Sequence, residues 1–153
     1  MPDQTRFDLT RRAAFRLFTP VTIRFSDTDK LGHVNNVAIA AYFEAARCEL
    51  FYKLMQQAGV GGRIDFVLAR VAIDFKREFF YPGTVEVGAR FTRLGNRSIT
   101  SGYGLFIGGT CHATAEAVNV FFDLDTRLAV PPLPLLLIFV RLHCRTVRSI
   151  APS

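Results

Sequence analysis

The sequence predicts an α+β domain in which an antiparallel β-sheet curls around one long helix. One long segment without Gly or Pro follows an early strand-like run, four more strand-like runs come after it, and turn-forming residues separate those runs. Strands joined by short turns pair antiparallel, and a sheet with an apolar face needs a helix to cover it. With 153 residues, the chain is long enough for one such domain with its own core.

The strand predictions rest on side chains that alternate between apolar and polar, the period of two that is typical of a β-strand. The first run precedes the helix and the other four follow it. The five runs cover residues 21–25, 67–76, 85–91, 99–107 and 110–122. Tyr81-Pro82-Gly83, Gly95-Asn96 and Gly108-Gly109 separate the later runs, and all three contain residues that favour turns.

The helix is predicted from about Asn36 to Gln57. Either Asn35 or Asn36 suits the N-cap position, because an Asn side chain accepts a hydrogen bond from the first helical turn. Glycines from Gly59 onwards end the helix. Apolar residues lie on more than one side of it, so we expect other structure to wrap it.

The ends of the chain differ from its centre. Residues 1–14 are polar and Arg-rich and are expected to form a mobile arm, residues 15–130 the domain, and residues 131–153 an atypical Pro- and Leu-rich tail. The apolar run Leu135–Val140 is too short to span a bilayer, which takes about 20 residues. It either docks on an apolar groove or a partner subunit, or is foreign to the ancestral domain.

Charge and composition exclude several classes of function. The net charge is +6, and the basic residues are spread from Arg6 to Arg148 without a block. A solvated basic surface is the ordinary interpretation, and a phosphate-bearing ligand is the sharper alternative, because Arg binds phosphate well. Nucleic acid is not expected, since no helix-turn-helix, zinc-finger or RNA-binding aromatic signature appears. There is also no nucleophile-elbow or nucleotide-binding glycine motif.

The cysteines indicate a reducing compartment. Cys48, Cys111 and Cys144 are odd in number and far apart, which argues against a disulfide framework and a zinc site. The charged N-terminus lacks the apolar segment of a secretory signal. We therefore expect a cytoplasmic protein with no metal.

A polar loop between the first strand and the helix carries the chemistry. Residues 25–36 contain two aspartates, a glycine, a histidine and two asparagines. The aspartates lie a few residues before the helix N-terminus, where unpaired N–H groups and the helix dipole can hold a developing oxyanion. A carboxylate base or nucleophile beside an oxyanion site is suited to attack on an acyl carbonyl.

The same loop resembles a known family. The string D-x-D-x-x-G-H-V-N-N, which runs from Asp27 to Asn36, is followed by Tyr-Phe-Glu-Ala-Ala-Arg at residues 42–47. Together they resemble the hotdog-fold acyl-CoA thioesterases of the 4-hydroxybenzoyl-CoA thioesterase family, over roughly residues 18–125. The resemblance implies a hotdog fold, hydrolysis of an acyl-CoA to a carboxylic acid and free CoA, and no metal or redox cofactor. It also implies a homodimer or homotetramer with the active site at the subunit interface.

The resemblance implies three catalytic residues. Asp29 matches the family's carboxylate, which either attacks the thioester or activates a water. The backbone N–H near Asn36 polarises the carbonyl group. His33 either hydrogen-bonds the substrate or the loop, with a proton to give at neutral pH, or only orders the loop. The residues expected around the substrate are Asp27, Gly32, Val34, Asn35 and Glu44.

Several alternatives stay open from the sequence. Without the motif, Asp29 would be interpreted as a loop residue that caps a turn or the helix. Asp27 is interpreted as a structural or supporting residue. Glu44 is the second candidate for the catalytic carboxylate, or else forms a structural ion pair. The substrate is either an acyl-CoA or an acyl group on a carrier protein, since both carry phosphopantetheine. A binding module that has lost turnover is the non-enzymatic alternative.

Overall fold

The computed structural model describes residues 7–57 and 62–131. Its strands form one antiparallel sheet in the order β1-β3-β4-β5-β2, and a single long helix packs on one face. In chain order the elements are β1 (Leu17–Thr22), α1 (Asn36–Gln57), β2 (Ile64–Phe75), β3 (Thr84–Leu94), β4 (Ser98–Ile107) and β5 (Thr110–Asp123). Short 3₁₀ turns cover Arg12–Ala14 and Phe25–Asp27.

Helix α1 has the predicted bounds, and it packs mainly against β1, β3 and β4. Its buried side includes Phe43, Ala46 and Phe51, which are fully enclosed. The opposite side is open, with Tyr52 64% exposed. The apolar residues on several sides of the helix led us to expect that other structure would wrap it. Within the described residues the sheet covers only one side of the helix. The apolar residues on the far side remain available to other surfaces.

The first strand begins and ends earlier than predicted. It covers Leu17–Thr22, and Phe25 lies in a 3₁₀ turn with its ring 75% exposed. Pro20 lies inside the strand. A proline has no N–H to donate to a neighbouring strand, so its presence in a sequence argues against a central strand. The strand tolerates it because β1 lies at the edge of the sheet and pairs only with β3, so a missing N–H there breaks no inner ladder.

The described part of the expected mobile arm, residues 7–14, is packed on the outer face of the sheet. A second apolar cluster forms there from Ala14, Phe15 and Phe106. The Arg90 guanidinium lies 3.3 Å from the centre of the Phe7 ring and donates to the Ala14 carbonyl oxygen at 2.8 Å. Residues 7–14 were expected to be mobile, and these contacts correct that expectation. Their apolar side chains pack on the outer face of the sheet, opposite the face that holds the helix.

Two glycines make room for this segment. A Cβ at Gly88 would lie 2.5 Å from Cγ of Phe15, and a Cβ at Gly104 would lie 2.5 Å from the Leu9 carbonyl oxygen. Gly88 and Gly104 are direct partners on β3 and β4. The two glycines therefore leave a shallow groove on the outer face of the sheet, in which Leu9 and Phe15 lie. A larger side chain at either position would push this N-terminal segment away.

Strand β2 forms the other edge of the sheet. It has 12 residues, pairs only with β5, and carries a bulge between Leu68 and Arg70. Several of its apolar side chains are exposed, including Val71 at 42% and Phe75 at 50%. A long apolar edge strand is a surface that proteins normally cover or pair.

The domain closes after β5, where the Val130 N–H donates to the Phe121 carbonyl oxygen at 2.9 Å. The predicted tail lies outside the described residues, apart from Pro131. None of the helices in the described ranges is long and apolar enough to cross a membrane.

Candidate active site

The loop before helix α1 is a tight hairpin with Asp29 at its turn. Thr28 pairs with Val34, and the Asp29 N–H donates to the His33 carbonyl oxygen at 2.9 Å. The Gly32 N–H donates to the Asp29 carbonyl oxygen at 3.0 Å. Gly32 has a φ of +83°, a conformation that costs a side-chain-bearing residue energy, which accounts for a glycine at this position. The hairpin thus fixes the backbone that carries Asp29.

The Asp29 side chain is exposed, so a ligand can reach its carboxylate. One carboxylate oxygen accepts the Leu31 N–H at 2.9 Å, which orients the group and leaves its second oxygen without a hydrogen bond among the described residues. A turn-capping role and a chemical role are therefore both compatible with the geometry at this residue.

Asn35, not Asn36, caps helix α1. Its side-chain oxygen accepts the Ala38 N–H at 2.8 Å, and its carbonyl oxygen accepts the Ile39 N–H at 3.1 Å. Over residues 7–57 and 62–131, the N–H groups of Asn36 and Val37 make no hydrogen bond. Both residues are exposed, so two donors at the positive end of a 22-residue helix face solvent.

The Asp29 hairpin and these free donors are close together along the chain. Asp29 is hydrogen-bonded to His33, and Asn36 follows His33 by three residues, so the two Cα atoms of His33 and Asn36 are at most about 11 Å apart. The Asp29 hairpin and the helix start are therefore neighbouring parts of the chain.

Asp27 is buried and belongs to the support of the loop. It is 3% exposed, and its carboxylate accepts the Tyr42 hydroxyl at 2.5 Å and the Arg24 N–H at 2.9 Å. Burial raises the pKa of this carboxyl, but the hydrogen bonds from Tyr42 and Arg24 outweigh burial and lower the pKa below its usual value. The placement of Asp27 among the substrate contacts is thereby corrected, because its oxygens are already occupied inside the protein.

Val34 is likewise not free to touch a substrate. It is 5% exposed, packs in the main core, and donates its N–H to the Phe79 carbonyl oxygen at 2.9 Å. This corrects the prediction that its side chain binds substrate. Its hydrogen bond ties the hairpin to the segment between β2 and β3.

His33 faces the same segment. Its Nε2 lies 3.2 Å from a carboxylate oxygen of Glu78, and its ring meets the Phe80 ring edge-on with centres 5.0 Å apart. The ring is partly exposed beside Asp29. The contacts with Glu78 and Phe80 favour an ordering role for His33, and its partial exposure leaves room for a substrate contact.

Glu44 lies away from the hairpin. It is eight residues into the helix from Asn36, which is about 12 Å along the axis. Its carboxylate is 3.5 Å from the Arg47 guanidinium, one turn further on, and the Glu44 side chain is 66% exposed. This arrangement favours the ion-pair interpretation over a catalytic role within one subunit.

Exposed apolar side chains lie on the Asp29 hairpin and on the segment that pairs with it. Phe25 and Tyr81 meet edge-on with ring centres 5.8 Å apart. The other exposed apolar residues near the hairpin and the helix start are Leu31, Val37 and Phe80. Large apolar side chains exposed together next to a carboxylate form a surface suited to an apolar ligand or a partner subunit.

Sequence reasoning assigned no role to Tyr42, Glu78 or Phe79, all of which hold the hairpin. Glu78 and Phe79 are distant in sequence, and no local pattern connects them to the loop. Tyr42 did carry a signal, because it follows Asn35 by seven residues, or two helical turns, and therefore lies on the same face of the helix. No three His, Cys, Asp or Glu side chains in the described parts of the chain are grouped as metal ligands.

A five-stranded antiparallel sheet with one long helix, and a carboxylate hairpin at that helix's start, define a protein of the hotdog class. The chain belongs to the thioesterase-like superfamily, whose family model matches residues 23–138. The predicted fold and family are therefore confirmed. The match begins just after β1 and continues into the predicted tail.

Individual relatives agree with this assignment. A predicted thioesterase from Bacillus stearothermophilus is 31% identical with a TM-score of 0.73, covering 82% of this chain and 94% of its own. A thioesterase from Thermus thermophilus, in complex with coenzyme A and Zn, is 28% identical with a TM-score of 0.71, covering 85% of this chain and 95% of its own. These similarities support the predicted class of enzyme, a thioester hydrolase.

The uncharacterized protein YsmA of Bacillus subtilis (strain 168) is 30% identical over 92 residues. That match covers 60% of this chain and 62% of YsmA, so it spans less than two thirds of the relative.

Proposed function

We propose that this protein hydrolyses the thioester of an acyl-CoA to a carboxylic acid and free CoA. One observation carries the proposal: the exposed Asp29 carboxylate stands at the turn of a hairpin that leads into a helix start with two free N–H groups. A base or nucleophile on one side and oxyanion donors on the other are the two groups that acyl transfer to water requires.

In the reaction, Asp29 takes a proton from a water whose oxygen attacks the thioester carbonyl carbon. The carbonyl oxygen gains the negative charge, and the N–H groups of Asn36 and Val37 stabilise it. The tetrahedral intermediate then collapses, the C–S bond breaks, and the thiolate of CoA leaves and is protonated. If Asp29 attacks directly, a mixed anhydride forms and water then hydrolyses it. Neither route needs a metal or a redox cofactor.

An acyl-CoA suits the surroundings of this site. The apolar side chains around Asp29 offer a surface to the acyl group. Lys76 and Arg77, which follow β2, line an open depression of about 660 Å³ together with Thr10 and the β4–β5 turn, and we propose that the CoA moiety extends to it. Such cations are the natural partners of the phosphates of CoA. The related T. thermophilus thioesterase with bound coenzyme A supports the same choice.

We further propose that the protein works as a homodimer joined along β2. That strand presents a 12-residue edge with exposed apolar side chains, whereas β1 at the other edge has six residues and contains Pro20. Pairing β2 with its copy would satisfy unpaired backbone groups and cover Val71 and Phe75. Free Cys48 and Cys111 fit a cytoplasmic protein.

The test is a thiol-release assay with purified protein and a panel of aromatic, short-chain and long-chain acyl-CoAs. We expect turnover of at least one acyl-CoA class and loss of that turnover in Asp29→Asn. Comparing the best acyl group on CoA with the same group on an acyl carrier protein separates the two substrate classes. Tight binding of acyl-CoA without any thiol release would overturn the hydrolase proposal in favour of a binding module.

A further inference from the structure

We propose that Tyr42 is a positioning residue that sets the helix start against the Asp29 hairpin. The inference rests on the proposed function, because it assigns Tyr42 a part in the reaction through Asp27 and Asn35. Tyr42 itself touches neither Asp29 nor a reacting atom in the contacts of the described chain.

Asp27 is the point where the hairpin and the helix meet. Its carboxylate accepts the Tyr42 hydroxyl at 2.5 Å, and its carbonyl oxygen accepts the Asn35 N–H at 2.8 Å. Asn35 in turn caps the helix through Ala38. A closed circuit therefore runs from the helix cap through the backbone and side chain of Asp27 to Tyr42, two turns further along the same helix.

This circuit fixes distances that the chemistry needs. Asp29 lies two residues after Asp27, and the free N–H of Asn36 lies one residue after Asn35. A movement of Asp27 relative to the helix therefore changes the gap between the carboxylate and the oxyanion donors. Misplacement of about 1 Å in a reacting geometry costs on the order of 10²-fold in rate.

Tyr42 is better placed than Arg24 to hold Asp27. Arg24 also reaches the carboxylate, at 3.0 Å from Nη2, but its side chain is 74% exposed, so water competes for the contact. Tyr42 is 4% exposed. Burial, and then the hydrogen bond to Asp27, raise the pKa of Tyr42, so its hydroxyl keeps its proton and donates at neutral pH.

The experiment compares Tyr42→Phe with Tyr103→Phe. Tyr103 is a matched control, because it is fully buried in β4 and its hydroxyl shares a 2.6 Å hydrogen bond with Ser101 inside the core. We expect Tyr42→Phe to lower kcat by about 10-fold or more at unchanged KM. We expect Tyr103→Phe to keep the wild-type kcat, even where it lowers stability equally.

A second readout does not depend on turnover. Amide hydrogen exchange of the Asn35 N–H should become faster in Tyr42→Phe and stay at the wild-type rate in Tyr103→Phe. If the wild-type protein released no thiol from any acyl-CoA, the proposed function would fail, yet these exchange rates would still decide the positioning role. Wild-type kcat together with wild-type exchange at Asn35 in Tyr42→Phe would overturn the inference.

Asp27→Asn covers the case in which Tyr42→Phe does not fold. It weakens the same contact from the other side, so it should lower kcat and speed Asn35 exchange in the same direction. Where both variants fold, the double variant should lose no more kcat than the worse single one, since both act through one contact. Additive losses in the double variant, or an unchanged kcat in Asp27→Asn, would contradict the circuit.

Discussion

The N–H of Asn35 donates to the carbonyl oxygen of Asp27 over 2.8 Å, which makes the helix cap and the aspartate hairpin one structural unit. The D-x-D segment, which begins in a 3₁₀ turn, and the helix start are therefore held together by backbone as well as by side chains. Changes in this unit should affect the proposed chemistry in ways that depend on which group is removed.

Asp29→Asn should lower turnover at least about 10²-fold, because it keeps the shape of the side chain but removes the base or nucleophile. Binding of acyl-CoA should largely survive. Asp27→Asn should be milder, and Asp125→Asn, an exposed carboxylate next to Arg63, should have no effect. Steady-state thiol release checks all three. Inactivation by Asp27→Asn with full activity in Asp29→Asn would show that the assignment is wrong.

Asn36→Pro should lower kcat by about 10²–10³-fold, the cost of losing one oxyanion donor in other enzymes. Asn36 is the first helical residue, where proline is well tolerated, so the helix should form without that N–H. Asn36→Ala keeps the backbone donor and should retain near-normal kcat. Equal activities in the two variants, with helix content matched by circular dichroism, would remove this N–H from the mechanism.

Charges on β2 should separate the proposed dimer. We expect light scattering to give a dimer for the wild-type protein and a monomer for Val71→Lys combined with Phe75→Lys, because the pairing edges would then repel. Leu128→Lys, at a residue that is 65% exposed beyond β5, should stay dimeric. A monomeric wild-type protein with full activity would contradict the dimer as the working form and the expectation of an active site at the subunit interface.

Gly104→Ala should destabilise the fold by about 1–3 kcal/mol, because the new methyl group meets the Leu9 backbone and cannot be relieved by a rotamer change. Gly109→Ala is the control, since a Cβ there meets nothing within 4 Å. Urea unfolding of both variants gives the comparison. If Gly104→Ala were as stable as the control, residues 7–15 would not pack on the sheet as described.

Asp27 should contribute a pH-dependent stability. The pKa of its carboxyl is lowered in the folded state, so the unfolded chain binds the proton more tightly. The stabilisation is therefore present above about pH 4, the unfolded value, and is lost as pH falls through the folded pKa. The difference in unfolding free energy between wild type and Asp27→Asn should be constant near neutrality and shrink in acid. A difference that grew as the pH fell below about 4 would contradict this sign.

Local patterns were enough for much of the fold. The absence of Gly and Pro between Asn36 and Gln57, together with an Asn cap, predicted a helix with about its observed bounds, and alternation with turn residues located the four later strands. The loop motif was enough to indicate the family. These features are readable because each depends on residues within a few positions of one another, and because helix caps and strand periods act over that range.

Only the tertiary structure decided which of the motif's residues face solvent. Asp27 and Asp29 look alike in the sequence, but Tyr42 and the core enclose Asp27, while the hairpin turn exposes Asp29. The strand order that leaves β2 at an edge, and the glycine pair that receives residues 7–15, likewise depend on pairing between distant segments. Burial is a property of what packs against a residue, and for these residues the packing partners lie outside any local window of sequence.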